Sequence, residues 1–156
     1  MPTPEERLEE LGITLPEPVA PQAAYIPCVR SGDLVYVSGQ VPLVDGKPGW
    51  TGRLGASDLS VDDGAQAARR CAINLVAALK KELGDLSRVR RVVKVNGYVA
   101  SDPGFTDQPK VINGASELLA AVFGDAGRHA RAAVGVAALP LGVPVEVEAI
   151  VEVAGG

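Results

Sequence analysis

The chain has 156 residues, 47% of them hydrophobic and 22% charged, with a net charge of -4, enough for one domain with its own core. That balance excludes a nucleic-acid footprint, which needs clustered Lys and Arg against phosphate, and no run approaches the roughly 18 apolar residues of a membrane span. Cys28 and Cys71 fit no zinc or C-x-x-C spacing and His129 is the only histidine, so free thiols in a reducing compartment and no metal are expected.

In chain order, Thr3-Pro4-Glu5-Glu6 is a capping box with proline in the first turn, and Gly12 stops the short helix it opens. The N-terminus is acidic and lacks the apolar segment of a signal peptide, which points to the cytoplasm. Residues 13–24 hold three prolines and no periodicity, as expected of an extended arm packed over the body. Residues 1–19 therefore read as a helix and arm, and 20–156 as a single domain. Tyr25 to Arg30 and Leu34 to Gln40 are strands joined by the turn Ser31-Gly32-Asp33. From Pro42 to Ser60 glycines and polar residues predict a loop with one short strand at most.

Ala65, Ala68, Ala72, Leu75, Val76, Leu79 and Leu83 recur at helical spacing, predicting a helix over 62–83 stopped by Gly84. The basic residues Arg69, Arg70, Lys80 and Lys81 fall mostly off that stripe. Val89 to Ala100 is rich in β-branched residues and reads as a strand. Asp107 and Pro109 open a second helix, striped by Val111, Ala115, Leu118, Leu119 and Val122 and ended by Gly124. Gly127 to Pro140, followed by Val145 to Val153 with strict alternation, reads as a C-terminal β-hairpin turning through 139–144. The order is β-β-α-β-α-β-β. Two singly striped helices fit one face of a mostly antiparallel or mixed sheet, and the first C-terminal strand, apolar on both sides, is expected to be covered on both, by oligomerisation.

Arg131 opens that strand among the small residues Ala133, Gly135 and Ala137. A guanidinium in a cleared space can grip a carboxylate through two parallel hydrogen bonds. Glu146 stands near the start of the last strand, on a face it shares with Glu148 and Glu152. Ser38 has no base beside it in sequence and reads as a hydrogen-bond donor, not a nucleophile. Tyr25 fits either a site hydroxyl or a core aromatic, Asn113 either a pocket polar group or a helix-surface residue, and His129 a structural or rim role.

Tyr25, Ser38-Gly39-Gln40, Asn113, Arg131, Leu139-Pro140 and the terminal Val-Glu-Val-Glu, in that order, resemble the RidA family of enamine/imine deaminases, also called YjgF-like or L-PSP-like, over residues 20–153. The resemblance implies a chorismate-mutase-like α+β fold, a homotrimer with sites between subunits, and no cofactor. It implies hydrolysis of 2-enamino or 2-imino acids to 2-keto acids and ammonia. On the matched positions it makes Arg131 the carboxylate clamp and Glu146 the group that positions water. Tyr25, Ser38 and Asn113 become pocket polar groups, Gly39 a backbone contact, and Ala133 stands in the pocket where many members have cysteine. His129 replaces a proline common in the family, and several loops are longer, as in a less characterised branch.

The expected hairpin places Arg131 and Glu146 about 20 Å apart at ~3.3 Å per residue, so a working site is expected to take them from different subunits. The alternative reading is a non-catalytic module holding a small carboxylate metabolite in the same cleft. The endoribonuclease label sometimes attached to the family ranks last, given the acidic balance and 4% aromatic content.

Overall fold

Local signals set most element ends. The structure is a computed structural model describing residues 1–20, 23–55 and 58–155. Parts of two expected segments, residues 21–22 of the arm and 56–57 of the loop, lie outside the described residues, as does Gly156. The Thr3 hydroxyl accepts from Glu6 N–H at 3.1 Å while the Glu6 carboxylate accepts from Thr3 N–H at 2.8 Å, which starts α1 (Pro4–Glu10). Ser60 and Asp63 repeat this reciprocal cap at α2 (Val61–Leu83). Pro109 sits in the first turn of α3 (Gln108–Phe123), which ends at Gly124 with φ +63°.

The strands are β1 (Cys28–Ser31), β2 (Leu34–Gln40), the two-residue pair β3 (Leu43–Val44) and β4 (Lys47–Pro48), β5 (Val89–Ala100), β6 (Ala130–Val136) and β7 (Val145–Val153). Five of them form one mixed sheet in the order β1-β2-β7-β5-β6, with α2 and α3 on one face. This α+β arrangement agrees with the sequence-based expectation. The short pair β3–β4 makes the expected single short strand a small hairpin.

The expected C-terminal hairpin is absent. β6 pairs in parallel with β5, and β7 inserts between β5 and β2. The segment 139–144 is a connection over the end of β5. Ser101 N–H reaches back to Val136 O at 3.0 Å, and Ala100 N–H reaches Pro144 O at 2.9 Å. The crossover helix α3 returns β6 parallel to one edge of β5 while β7 pairs along the other, so β5 lies between the two strands expected to pair. β6 is consequently an edge strand, with Val134 46% exposed, and the expectation that it is covered on both sides fails for the single chain.

Alternation in β7 buries Val145, Val147, Ala149, Val151 and Val153 under the helices and leaves Glu146, Glu148, Ile150 and Glu152 on the open face. Val35, Val37, Val92, Val95 and Val99 extend the buried row. Two glycines let α3 approach closely. A Cβ on Gly114 would lie 2.0 Å from Ala65 O of α2, and one on Gly97 would lie 2.5 Å from Ile112. α1 is tied down by Glu5, whose Oε1 accepts from Lys80 Nζ at 3.0 Å and from Leu86 N–H at 2.7 Å. Cys28 and Cys71 are buried free thiols, burial raising the first to about 11 and the second well above its ordinary value. No described helix is long and apolar enough to cross a membrane.

Candidate functional site

The residues singled out in the sequence fall into two groups on opposite faces of the sheet. The first group lies where β2 bulges. Val37 pairs with Ala149 and Gln40 with Val147, so Ser38-Gly39 places one extra residue against β7. The bulge is held by Ser38, whose Oγ donates to Ile26 O at 2.7 Å and whose N–H donates to Pro27 O at 2.8 Å. Its hydroxyl thus fastens the segment before β1. Gly39 lies under the carboxylate of Glu146, and a Cβ there would stand 2.6 Å from Glu146 Oε2. Tyr25, expected as a pocket hydroxyl, is 52% exposed at the same end of the sheet.

Glu146 pairs across the sheet with Tyr98, and the Tyr98 hydroxyl donates to Glu148 Oε1 at 2.6 Å. Burial, and then the neighbouring charge of Glu148, push the Glu146 carboxyl above its ordinary range. The hydrogen bond to Glu148, with burial behind it, holds the Tyr98 phenol protonated to about 12. A half-buried carboxylate raised in this way is a better base than a solvated one.

The second group is built by β6 and α3. Arg131 pairs with Val95, on the helix face, and its guanidinium crosses the sheet edge to α3. Nη1 donates to Asn113 Oδ1 at 2.8 Å and to Ser116 Oγ at 3.2 Å, and Nη2 donates to Pro109 O at 3.3 Å. Three of its five N–H bonds are thereby aimed at α3, which leaves Nε and one Nη2 hydrogen for a ligand. Ala133 and Gly135 share this face of β6, Ala133 packing against the core, and a Cβ on Gly135 would meet Gln108 Nε2 at 2.7 Å. Asn113 presents its amide beside the guanidinium. An open pocket of about 320 Å³ adjoins Arg131, bordered by Ser116, Ala120, Gly127 and His129.

In place of the hairpin distance of about 20 Å, Arg131 lies level with Val95 and Glu146 level with Tyr98, two strands away. Three residues along and two strand spacings across put their Cα atoms roughly 14 Å apart. An odd offset also points the side chains to opposite faces. One chain cannot bring both to a single small molecule. Among the described residues no cluster of His, Cys, Asp and Glu could hold a metal ion.

Ser116, Tyr98 and Glu148 were not singled out in the sequence. Ser116 lies one helical turn after Asn113, so two polar residues share a helix face that flanks the buried stripe of Val111, Ala115, Leu118 and Val122. That spacing was the available signal. Nothing local marked Tyr98, since its partner Glu148 depends on β7 lying beside β5.

The family model "YjgF/chorismate_mutase-like, putative endoribonuclease" matches residues 5–153. Protein TCP17 of Trypanosoma cruzi is 53% identical over 146 residues, 93% of this chain and 91% of its own length. The crystal structure of Atu1372 from Agrobacterium tumefaciens, a protein "with unknown function", matches with a TM-score of 0.90 at 53% identity, covering 97% of this chain and 92% of that one. A "putative endoribonuclease" from Shewanella oneidensis MR-1 matches with a TM-score of 0.94 at 36% identity, covering 97% and 100%.

Proposed function

This chain belongs to the YjgF/chorismate mutase-like family, and from that premise we propose that it hydrolyses small 2-imino or 2-enamino acids to 2-keto acids and ammonia. The site lies between subunits. The observation that carries the reading is the placement of Arg131 and Glu146 on opposite faces, roughly 14 Å apart along the sheet.

The two half-sites are different surfaces, so joining them is a head-to-tail contact. Such contacts make a ring where the rotation between copies closes, and a homotrimer is the ring the family resemblance implies. The open face supplies cover for it: Val29 is 50% exposed, Tyr36 45% and Val134 46%, and Val29, Tyr36 and Ile150 align across three strands.

In the joined site Arg131 holds the substrate carboxylate through its free Nη2 hydrogen, on the edge of the guanidinium that Ser116 borders, with the Asn113 amide beside it. Glu146 of the adjacent subunit accepts a proton from water as its oxygen bonds to C2 of the protonated imine and the C=N pair moves to nitrogen, giving the neutral carbinolamine. Glu146 then returns that proton to the amino nitrogen, and the C2–N bond breaks to release ammonia as the carbonyl forms and the hydroxyl proton passes back to Glu146. An enamine first takes a proton from solvent at C3 to become the same protonated imine. Gly39 gives the Glu146 carboxylate its room, Ser38 fixes the bulge, and Tyr25 lies at the rim. The electrophile is already an imine, so this scheme uses no cofactor. The buried free thiols suit a reducing compartment such as the cytoplasm. The endoribonuclease wording belongs to relatives, and a net charge of -4 does not favour an RNA partner.

An amino-acid oxidase supplying imino acid, with semicarbazide as trap, tests the reading. Less trapped product with the wild type but not with Arg131→Ala supports it. Unchanged trapping, with a small carboxylate still bound, marks a binding module instead.

A further inference from the structure

The pocket beside Arg131 contains two groups that this hydrolysis leaves unused. His129 Nδ1 lies 2.6 Å from Gly127 O. A carbonyl oxygen only accepts, so Nδ1 carries the proton. The neutral ring then has a bare Nε2, 2.8 Å from Ser116 Oγ, and Ser116 donates to it. The Ser116 oxygen in turn accepts from Arg131 Nη1 at 3.2 Å. The bonds run in one direction, from guanidinium to hydroxyl to imidazole to carbonyl. Close packing fixes the carbonyl end, since a Cβ on Gly127 would stand 2.3 Å from Leu119 O.

We propose that Ser116 is a further ligand-contact residue of the carboxylate seat, and that His129 is the positioning residue whose protonation turns the Ser116 hydroxyl toward the ligand. This rests on the reading of Arg131 as the carboxylate grip. Protonated, the imidazole donates from Nε2 to Ser116 Oγ, and the hydroxyl hydrogen has to leave that line. With Arg131 still donating to the same oxygen, the hydrogen turns into the pocket, where a carboxylate accepts it.

Three charged groups face this assembly: Arg131 from β6, Glu117 from α3 and Arg128 from the same connection as His129. Burial, and then the Arg131 charge, lower the His129 pKa and keep the ring neutral. A carboxylate on Arg131 cancels that repulsion and so favours the imidazolium. By linkage, protonating His129 tightens carboxylate binding to the same degree.

His129 is the only histidine, so its ring signals are read by NMR without assignment. The probe is pyruvate, whose carboxylate stays ionised throughout. The expected results are the Nδ1–H tautomer in the free protein and a rise in His129 pKa when pyruvate binds. Pyruvate affinity should then increase about three- to tenfold as pH falls through that pKa, tenfold corresponding to a full pKa unit. His129→Gln offers an acceptor to Ser116 and a donor to Gly127, and should bind pyruvate better than His129→Ala but without the pH dependence. Ser116→Ala should weaken binding and reduce the acid tightening to the part carried by charge alone. An Nε2–H tautomer, or pyruvate bound with no change in His129 titration, overturns this inference alone. Failure of the folded wild type to bind pyruvate overturns the carboxylate grip and this inference with it.

Discussion

The two half-sites differ in how the fold treats their charge. The Arg131 guanidinium is met by three neutral oxygen acceptors on α3, so its charge is held and aimed at little cost. The Glu146 carboxylate is half-buried beside a second carboxylate, and its pKa is raised. The first arrangement suits binding, the second proton transfer. Neither face contains both, and a second copy of the chain is therefore part of the proposed chemistry.

Removing either group tests the contrast most severely. Arg131→Ala should lower kcat/KM by about 10²- to 10³-fold, mostly through KM, as loss of a charge-assisted pair. Glu146→Gln should lower kcat by about 10²- to 10⁴-fold, the usual contribution of a general base. The stability effect has a defined sign. A carboxyl whose folded pKa lies above its unfolded value makes the folded state bind more protons, so stability falls as pH rises between the two values. Glu146→Gln should accordingly raise Tm at neutral pH, measured by calorimetry, while it removes activity.

Smaller changes sharpen the comparison. Gly114→Ala drives a methyl into the α2 backbone at 2.0 Å and should destabilise by about 1–3 kcal/mol or more in urea unfolding, loosening the Arg131 half-site with its helix. Gly39→Ala meets first the carboxylate end of the Glu146 side chain, at 2.6 Å from Oε2. It should leave Tm nearly unchanged and reduce kcat about tenfold by displacing the base. Glu148→Gln removes a charge that raises Glu146, so the acid limb of the kcat/KM profile should move to lower pH.

The helices were legible in the sequence because their information is local: Thr3 with Glu6, Pro109, Gly84 and Gly124 mark ends by chemistry within a turn. Strand order was not legible. β7 alternates as a strand in a hairpin would, and only the crossover through α3 reveals that β5 lies between β6 and β7. The error changed the separation of Arg131 and Glu146 from about 20 to roughly 14 Å and left intact the inference that one chain cannot join them. Arg131 and Glu146 stood out as charges on strands, whereas the bulge at Ser38-Gly39 shows only in the register of β2 against β7. The Tyr98–Glu148 and Ser116–His129 pairs join distant segments, and no sequence spacing announces them.

The most direct measurement mixes two inactive proteins. Equal amounts of Arg131→Ala and Glu146→Gln are co-refolded so that subunits exchange at random, and imine hydrolysis is assayed by semicarbazide trapping. A site shared by adjacent subunits requires about a quarter of wild-type activity to return, since that fraction of interfaces joins an intact Arg131 half to an intact Glu146 half. Demonstrably mixed oligomers that show no recovery would contradict the account.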